Sequence, residues 1–63
     1  MEELARMMVN EGRSASDIQA ATWLDEDELA KIYLEEGHSI EDTADEVGLD
    51  EEDLVEEYGD EYE

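Results

Sequence analysis

The chain has 63 residues, of which 23 are Asp or Glu and only three are Lys or Arg, so its formal net charge is −20. This length predicts a single domain over residues 1–63, and the lack of Cys excludes disulfides and Cys-based zinc sites. We expect no membrane span, no signal peptide and no direct binding to nucleic acid, because apolar runs are short and phosphate contacts need Lys and Arg.

Five helices are predicted in chain order, and no segment alternates as a strand would. Apolar residues recur at helical spacing, as in Leu4, Met7 and Met8 of the first helix, which we expect to face the core. Gly12 ends that helix, and Ser14 begins the next. The predicted helices cover residues 2–10, 15–22, 26–36, 40–47 and 51–58, followed by a frayed acidic tail at 59–63.

An internal repeat organises these helices. Residues 10–33 align with 35–58 at an offset of 25, so that Glu11-Gly12 matches Glu36-Gly37 and Ser14 matches Ser39. The same offset aligns the first helix with the third. The sequence therefore predicts an all-α bundle of five short helices, built from about two and a half copies of one helix-turn-helix-like unit.

Two side chains in the turns have plain structural interpretations. Trp23 lies between the second and third helices, and we expect it to anchor the core there. His38 is the only His in the chain, and its neighbours Gly37 and Ser39 predict an exposed turn residue rather than a base or a metal ligand.

Residues 40–55 resemble the helix-turn-helix motif of DNA-binding proteins. Ala44 provides the small residue that lets the two helices pack closely, and Gly48 lies at the turn, where a positive φ is needed. Val47, Leu49 and Leu54 lie at the motif's buried positions. In DNA-binding members the second helix enters the major groove. Here its exposed positions carry only acids, which would repel phosphate.

The charge is concentrated where DNA would be read. Residues 1–31 hold eight acids and all three bases, whereas residues 32–63 hold 15 acids and no base. Carboxylates at helical spacing lie about 5–6 Å apart, which approximates phosphate spacing along a strand. We therefore expect a DNA mimic that binds a basic cleft through ten acidic residues: Asp45, Glu46, Asp50, Glu51, Glu52, Asp53, Glu56, Glu57, Asp60 and Glu61.

In size and charge the chain resembles the small acidic anti-CRISPR proteins of phages. The resemblance implies a monomer that acts in the host bacterial cytoplasm and blocks a DNA-binding defence complex. The favoured target is the large subunit of a type I CRISPR surveillance complex, which reads the protospacer-adjacent motif.

Two other classes of function are alternatives to this hypothesis. A helix-turn-helix domain of a halophilic protein, acting in protein–protein interaction, would also be acidic and poor in Lys. An enzyme is not expected, because no arrangement of nucleophile and base, phosphate-binding loop or calcium-binding loop is present. The sequence predicts no cofactor and no dedicated metal site.

Overall fold

The structure is a computed structural model that describes residues 2–62. These residues form α-helices without any strand, which confirms the prediction of an all-α bundle. Four of the five helices match their predicted bounds to within one residue at each end. The helices are α1 (Glu2–Asn10), α2 (Ala15–Thr22), α3 (Glu26–Glu35), α4 (Ile40–Val47) and α5 (Glu51–Tyr62).

The sequence repeat is also a repeat of local structure. The bounds of α4 lie 25 residues after those of α2, and α5 begins 25 residues after α3. Ser14 and Ser39 cap α2 and α4 in the same way, because each hydroxyl accepts a hydrogen bond from a backbone N–H three residues later, at 3.3 and 3.1 Å. Equivalent short sequences thus fix equivalent helix starts.

Helix α3 lies at the centre of the bundle. It contacts α1, α2 and α4, and it contributes five of the buried side chains. The interior is filled by aliphatic residues together with one tyrosine. The core residues are Ala5, Val9, Ala15, Ile18, Leu29, Ala30, Ile32, Tyr33, Leu34, Ile40, Ala44, Val47 and Leu54.

Helix α1 buries a different face from the one predicted. Ala5 and Val9 are buried, Met8 is partly buried, and Leu4 and Met7 are exposed. The helix packs against both α2 and α3, so the neighbouring helices select the side of small residues that permits close approach. The larger apolar residues define the predicted stripe, but they lie at the margin of this contact.

Helix α5 is longer than predicted, and the segment expected to fray from residue 59 is helical to Tyr62. Gly59 is buried inside the helix, where an added Cβ would lie 3.3 Å from a methyl group of Val55. Tyr62 packs against the core and meets Tyr58 edge to face, with ring centroids 6.0 Å apart. These contacts continue the helix past a glycine that predicted its end. Glu63 lies outside the described residues.

The turn between α4 and α5 has the features that the helix-turn-helix resemblance implies. Gly48 adopts φ +79°, and the backbone N–H groups of Gly48 and Leu49 both donate to the carbonyl of Ala44. Val47 and Leu54 are buried on either side of the turn, and Leu49 is partly buried. The two helices are therefore joined by a left-handed glycine cap.

The prediction that Trp23 anchors the core is wrong. Trp23 is 90% exposed and has φ +60°, which makes it the non-glycine residue with positive φ among residues 2–62. It ends α2 in the left-handed conformation that Gly48 adopts at the end of α4. This cap conformation directs the indole away from the bundle, and Leu24 packs against the core in its place.

His38 is less exposed than predicted. It is half-buried, and its ring meets that of Tyr33 edge to face at a centroid distance of 5.0 Å.

Candidate acidic interface

The ten acidic residues proposed as a binding surface are all exposed. Every ion pair among residues 2–62 involves Arg6 or Arg13, and none includes any of the ten. Because residues 32–63 contain no Lys or Arg, no neighbouring cation in that half neutralises them. Their carboxylates therefore face solvent as unpaired anions.

Helix α5 presents the densest part of this surface. Asp53, Glu56, Glu57 and Asp60 follow a three- and four-residue spacing, which places them on one face of the helix. An open groove at the start of α5 is lined by further acids with Val55 between them: Asp50, Glu51, Glu52, Asp53 and Glu56. The fold thus holds most of the predicted residues on one rigid helix.

The first turn of α3 extends the surface of α5. Asp27 lines a groove together with Asp53, Glu56 and Glu57, and Leu49 and Leu54 line the same groove. All ten acids predicted to bind lie between residues 45 and 61, so the sequence prediction missed this contribution. The repeat contains the signal, because Asp25-Glu26-Asp27-Glu28 aligns with Asp50-Glu51-Glu52-Asp53, the residue before α5 and its first three residues.

Tyr58 lies near the acids of α5 and near those in the first turn of α3. Burial raises the pKa of its hydroxyl, and the charges of Glu57 and Asp27 raise the pKa further. The side chain is partly buried and packs against the core. It therefore experiences the combined field of α5 and the first turn of α3.

The acids of α4 belong to a different groove. Asp45 and Glu46 line it together with Asp42 and Arg13. Burial raises the pKa of Tyr33, which lines the same groove, and the charge of Glu46 adds to this effect. The structure therefore divides the predicted set, because Asp45 and Glu46 share no groove with the acids of α5. Asp60 and Glu61 line neither groove.

Arg6 serves the fold rather than this surface. Its guanidinium donates to Glu2 at 2.8 Å, to Glu35 at 2.6 Å and to Glu36 at 3.1 Å, which ties α1 to the end of α3. Asn10 also donates to Glu36, at 2.8 Å. The hydrogen bond from Asn10 lowers the pKa of Glu36, and the hydrogen bond from Arg6 lowers it further.

Within residues 2–62, no group of three His, Asp or Glu side chains converges closely enough to hold a metal ion. No helix in that range has both the length and the apolar character needed to cross a membrane.

Comparison with protein-family models, curated proteins and solved structures finds no match to the chain.

Exposed carboxylates in rows can accept charge-assisted hydrogen bonds from Arg and Lys.

Proposed function

We propose that the protein is a DNA mimic that occupies a basic DNA-binding cleft and blocks the binding of DNA there. The observation that carries the proposal is the continuous set of exposed, unpaired carboxylates on α5 and the first turn of α3. A surface of this kind attracts a basic cleft over long range and competes with phosphate for its Arg and Lys side chains.

The amount of charge supports the same proposal. The longest extent of the Cα positions is 28 Å. Duplex DNA of that length carries about 16 phosphate charges, at one charge per ~1.7 Å of axis. The protein carries a net charge of −20. A cleft that accommodates a short duplex would meet a comparable charge per unit length on this molecule.

The proposed mechanism is steric and electrostatic competition. The carboxylates of α5 stand in for phosphate oxygens and pair with cationic side chains of the cleft. In a DNA-reading helix-turn-helix domain the second helix would face the nucleic acid; here that helix faces the protein that binds it. The N-terminal half holds α5 in place and adds the acids of α3.

Our preferred target is the large subunit of a type I CRISPR surveillance complex, which reads the protospacer-adjacent motif. This preference follows from the resemblance in size and charge to phage anti-CRISPR proteins. On this proposal a monomer acts in the cytoplasm of the host bacterium.

A matched pair of triple variants tests the proposal. The variant E52Q/D53N/E56Q removes three charges from the acidic surface, and E3Q/D17N/E41Q removes three exposed charges from other helices. Asp50 is retained, because its repeat equivalent Asp25 caps α3. The measurement is displacement of fluorescein-labelled duplex DNA from purified type I surveillance complex, at several salt concentrations.

We expect the parent to displace the duplex and E52Q/D53N/E56Q to compete at least about tenfold less well, with a shallower dependence on salt. The control variant should compete within about threefold of the parent, since its acidic surface is intact although its net charge equals that of E52Q/D53N/E56Q. Equal competition by both triple variants would contradict the assigned surface. If the parent fails to displace DNA, the target is wrong.

A second candidate is a halophilic domain that mediates protein–protein interaction. The observation in its favour is that acids lie in the first turn of every helix, whereas a mimic needs them on one face. Circular dichroism melts in low salt and in about 3 M KCl separate the two candidates, because salt screens self-repulsion. We expect a cooperative helical melt in low salt. Folding only in KCl would favour the halophilic domain.

A further inference from the structure

Trp23 has two unfavourable features that packing does not explain. Its side chain is 90% exposed, which leaves the largest apolar surface of any residue type in water. Its backbone is also left-handed, with φ +60°, a conformation that is sterically unfavourable for residues with a Cβ. Folding alone gives no reason to keep an indole here.

The repeat shows which residue the fold itself requires at this position. Gly48 is the equivalent of Trp23, has φ +79°, and ends α4 without strain. In both copies the cap N–H donates to the carbonyl four residues earlier, that of Gln19 or Ala44. Leu24 N–H then bonds to the hydroxyl of Thr22 at 3.4 Å. The backbone of Trp23 thus makes the bond that the glycine makes, and the indole adds nothing to the cap.

The surroundings of Trp23 indicate the charge of whatever covers it. The acidic first turn of α3 begins three residues later, and Asp25, Glu26 and Asp27 line an open groove with Gln19 of α2 and Leu49 of the second repeat. A second copy of the chain would bring another net charge of −20 against this region. Like-charge repulsion disfavours that occupant, and charge complementarity favours a basic protein.

We propose that Trp23 is a contact residue for the basic partner, and that an Arg or Lys side chain of that partner stacks on the face of the indole. This inference rests on the proposed function and adds a second contact region to it, outside α5. Trp is the best aromatic acceptor for a cation, and the nearby carboxylates attract the same cations. Trp is also one of the residue types enriched among binding hot spots.

Single variants at Trp23 separate the stacked cation from other roles. W23G restores the residue that the repeat uses, W23L keeps an apolar side chain, and W23F keeps an aromatic face. Met7 is an exposed apolar residue in ordinary helix, so M7A is the control. Each protein is assayed for displacement of labelled duplex from the type I surveillance complex, with its melting temperature measured in parallel.

We expect W23G and W23L to compete about 5- to 30-fold less well than the parent, W23F to lose less, and M7A to match the parent. W23G should melt at the parent's temperature or above it, because glycine relieves the left-handed backbone. A weaker competitor that is at least as stable cannot be explained by a folding defect.

Three results would overturn the inference. Undiminished competition by W23G would show that Trp23 makes no contact, even if the acidic surface is correct. Undiminished competition by W23L alone would show that the indole fills an apolar site rather than stacking on a cation. Absence of competition by the parent would show that the type I complex is not the target, and the assignment of Trp23 to that partner would fall with it.

The chain contains one Trp, so replacing it with 5-fluorotryptophan gives a single ¹⁹F NMR signal as an independent readout. The fluorine label distinguishes this signal from the residues of the partner. We expect this signal to shift on addition of the surveillance complex, and we expect no shift on addition of free duplex DNA. An unchanged signal in a mixture where DNA is displaced would contradict contact at Trp23.

Discussion

At the scale of single residues, Thr43 is the clearest imperfection of the core. Its side chain is fully buried, and its hydroxyl oxygen has no hydrogen-bond partner. Its repeat equivalent is Ile18, which is buried in the same way without a polar atom. A buried hydroxyl without a partner costs about 1–3 kcal/mol.

We therefore expect Thr43→Val to stabilise the protein, because the substitution keeps the branched shape and removes the unpaired hydroxyl. A gain of about 1 kcal/mol corresponds to a rise in Tm of roughly 4–8 °C for a domain of this size. Thermal melts followed by circular dichroism measure the change.

Thr22→Val provides the matched control. Thr22 is also buried, but its hydroxyl donates to the carbonyl of Ile18 at 2.7 Å and accepts from Leu24 N–H at 3.4 Å. Its loss should lower Tm. A fall in Tm for Thr43→Val would show that the Thr43 hydroxyl has a partner after all.

Trp23 illustrates why residue-scale prediction from sequence has limits. Its apolar character predicts burial, and average behaviour supports that expectation. The alignment with Gly48 pointed to a left-handed cap instead, and a residue at such a cap projects from the end of its helix. Local backbone conformation determined its exposure, and this is not visible in hydrophobicity.

At the scale of helices, the sequence predicts most of the fold because the signals are local. Ser14 and Ser39 fix helix starts through bonds within three residues, and Gly48 fixes a helix end through bonds within five. The repeat supplies each signal twice. The bounds of α1 to α4 follow from these short-range contacts.

The wrong predictions at this scale concern the buried face of α1 and the end of α5, because contacts between helices determine both. Helix α1 turns Ala5 rather than Leu4 inward because it packs on two neighbouring helices. Helix α5 continues to Tyr62 because Tyr58 and Tyr62 pack on the core across Gly59. Neither contact can be inferred from the spacing of apolar residues within one helix.

For the acidic surface too, the sequence predicts local properties but not the contacts between helices. The ten predicted acids are exposed, as amphipathic spacing implies, yet the fold divides them between grooves. The sequence gives no measure of which helices adjoin, so the proximity of Asp27 to α5 and the separation of Glu46 from it required the structure.

At the scale of the whole molecule, falling pH has two opposite effects on the stability of the fold, one through net charge and one through specific ion pairs. Protonating exposed carboxylates lowers the magnitude of the net charge of −20 and relieves repulsion in the compact state. Glu36 opposes this trend, because its pKa is lowered in the folded protein by the hydrogen bonds from Asn10 and Arg6. Its ionised form therefore stabilises the fold above the unfolded pKa, and this contribution is lost as pH falls through the folded pKa.

This sign predicts the pH dependence of Glu36→Gln, which mimics the protonated side chain. At pH 7 the variant should melt below the parent, because two hydrogen-bond donors lose their anion. As pH falls from about 4.5, near the ordinary Glu pKa, through the lowered pKa of Glu36, the two melting temperatures should converge. Thermal melts from pH 7 downwards measure the difference.

Glu46→Gln separates the ion-pair network from net charge. Glu46 lies in the last turn of α4, is exposed, and belongs to none of the ion pairs among residues 2–62. Removing its charge relieves repulsion without breaking a contact, so we expect Tm to rise or stay unchanged at pH 7. If Glu36→Gln instead raised Tm by the same amount, repulsion across the molecule would outweigh the bonds that join α1 to α3. If the difference in Tm between Glu36→Gln and the parent persisted unchanged well below pH 4, Glu36 would act through its shape rather than its charge.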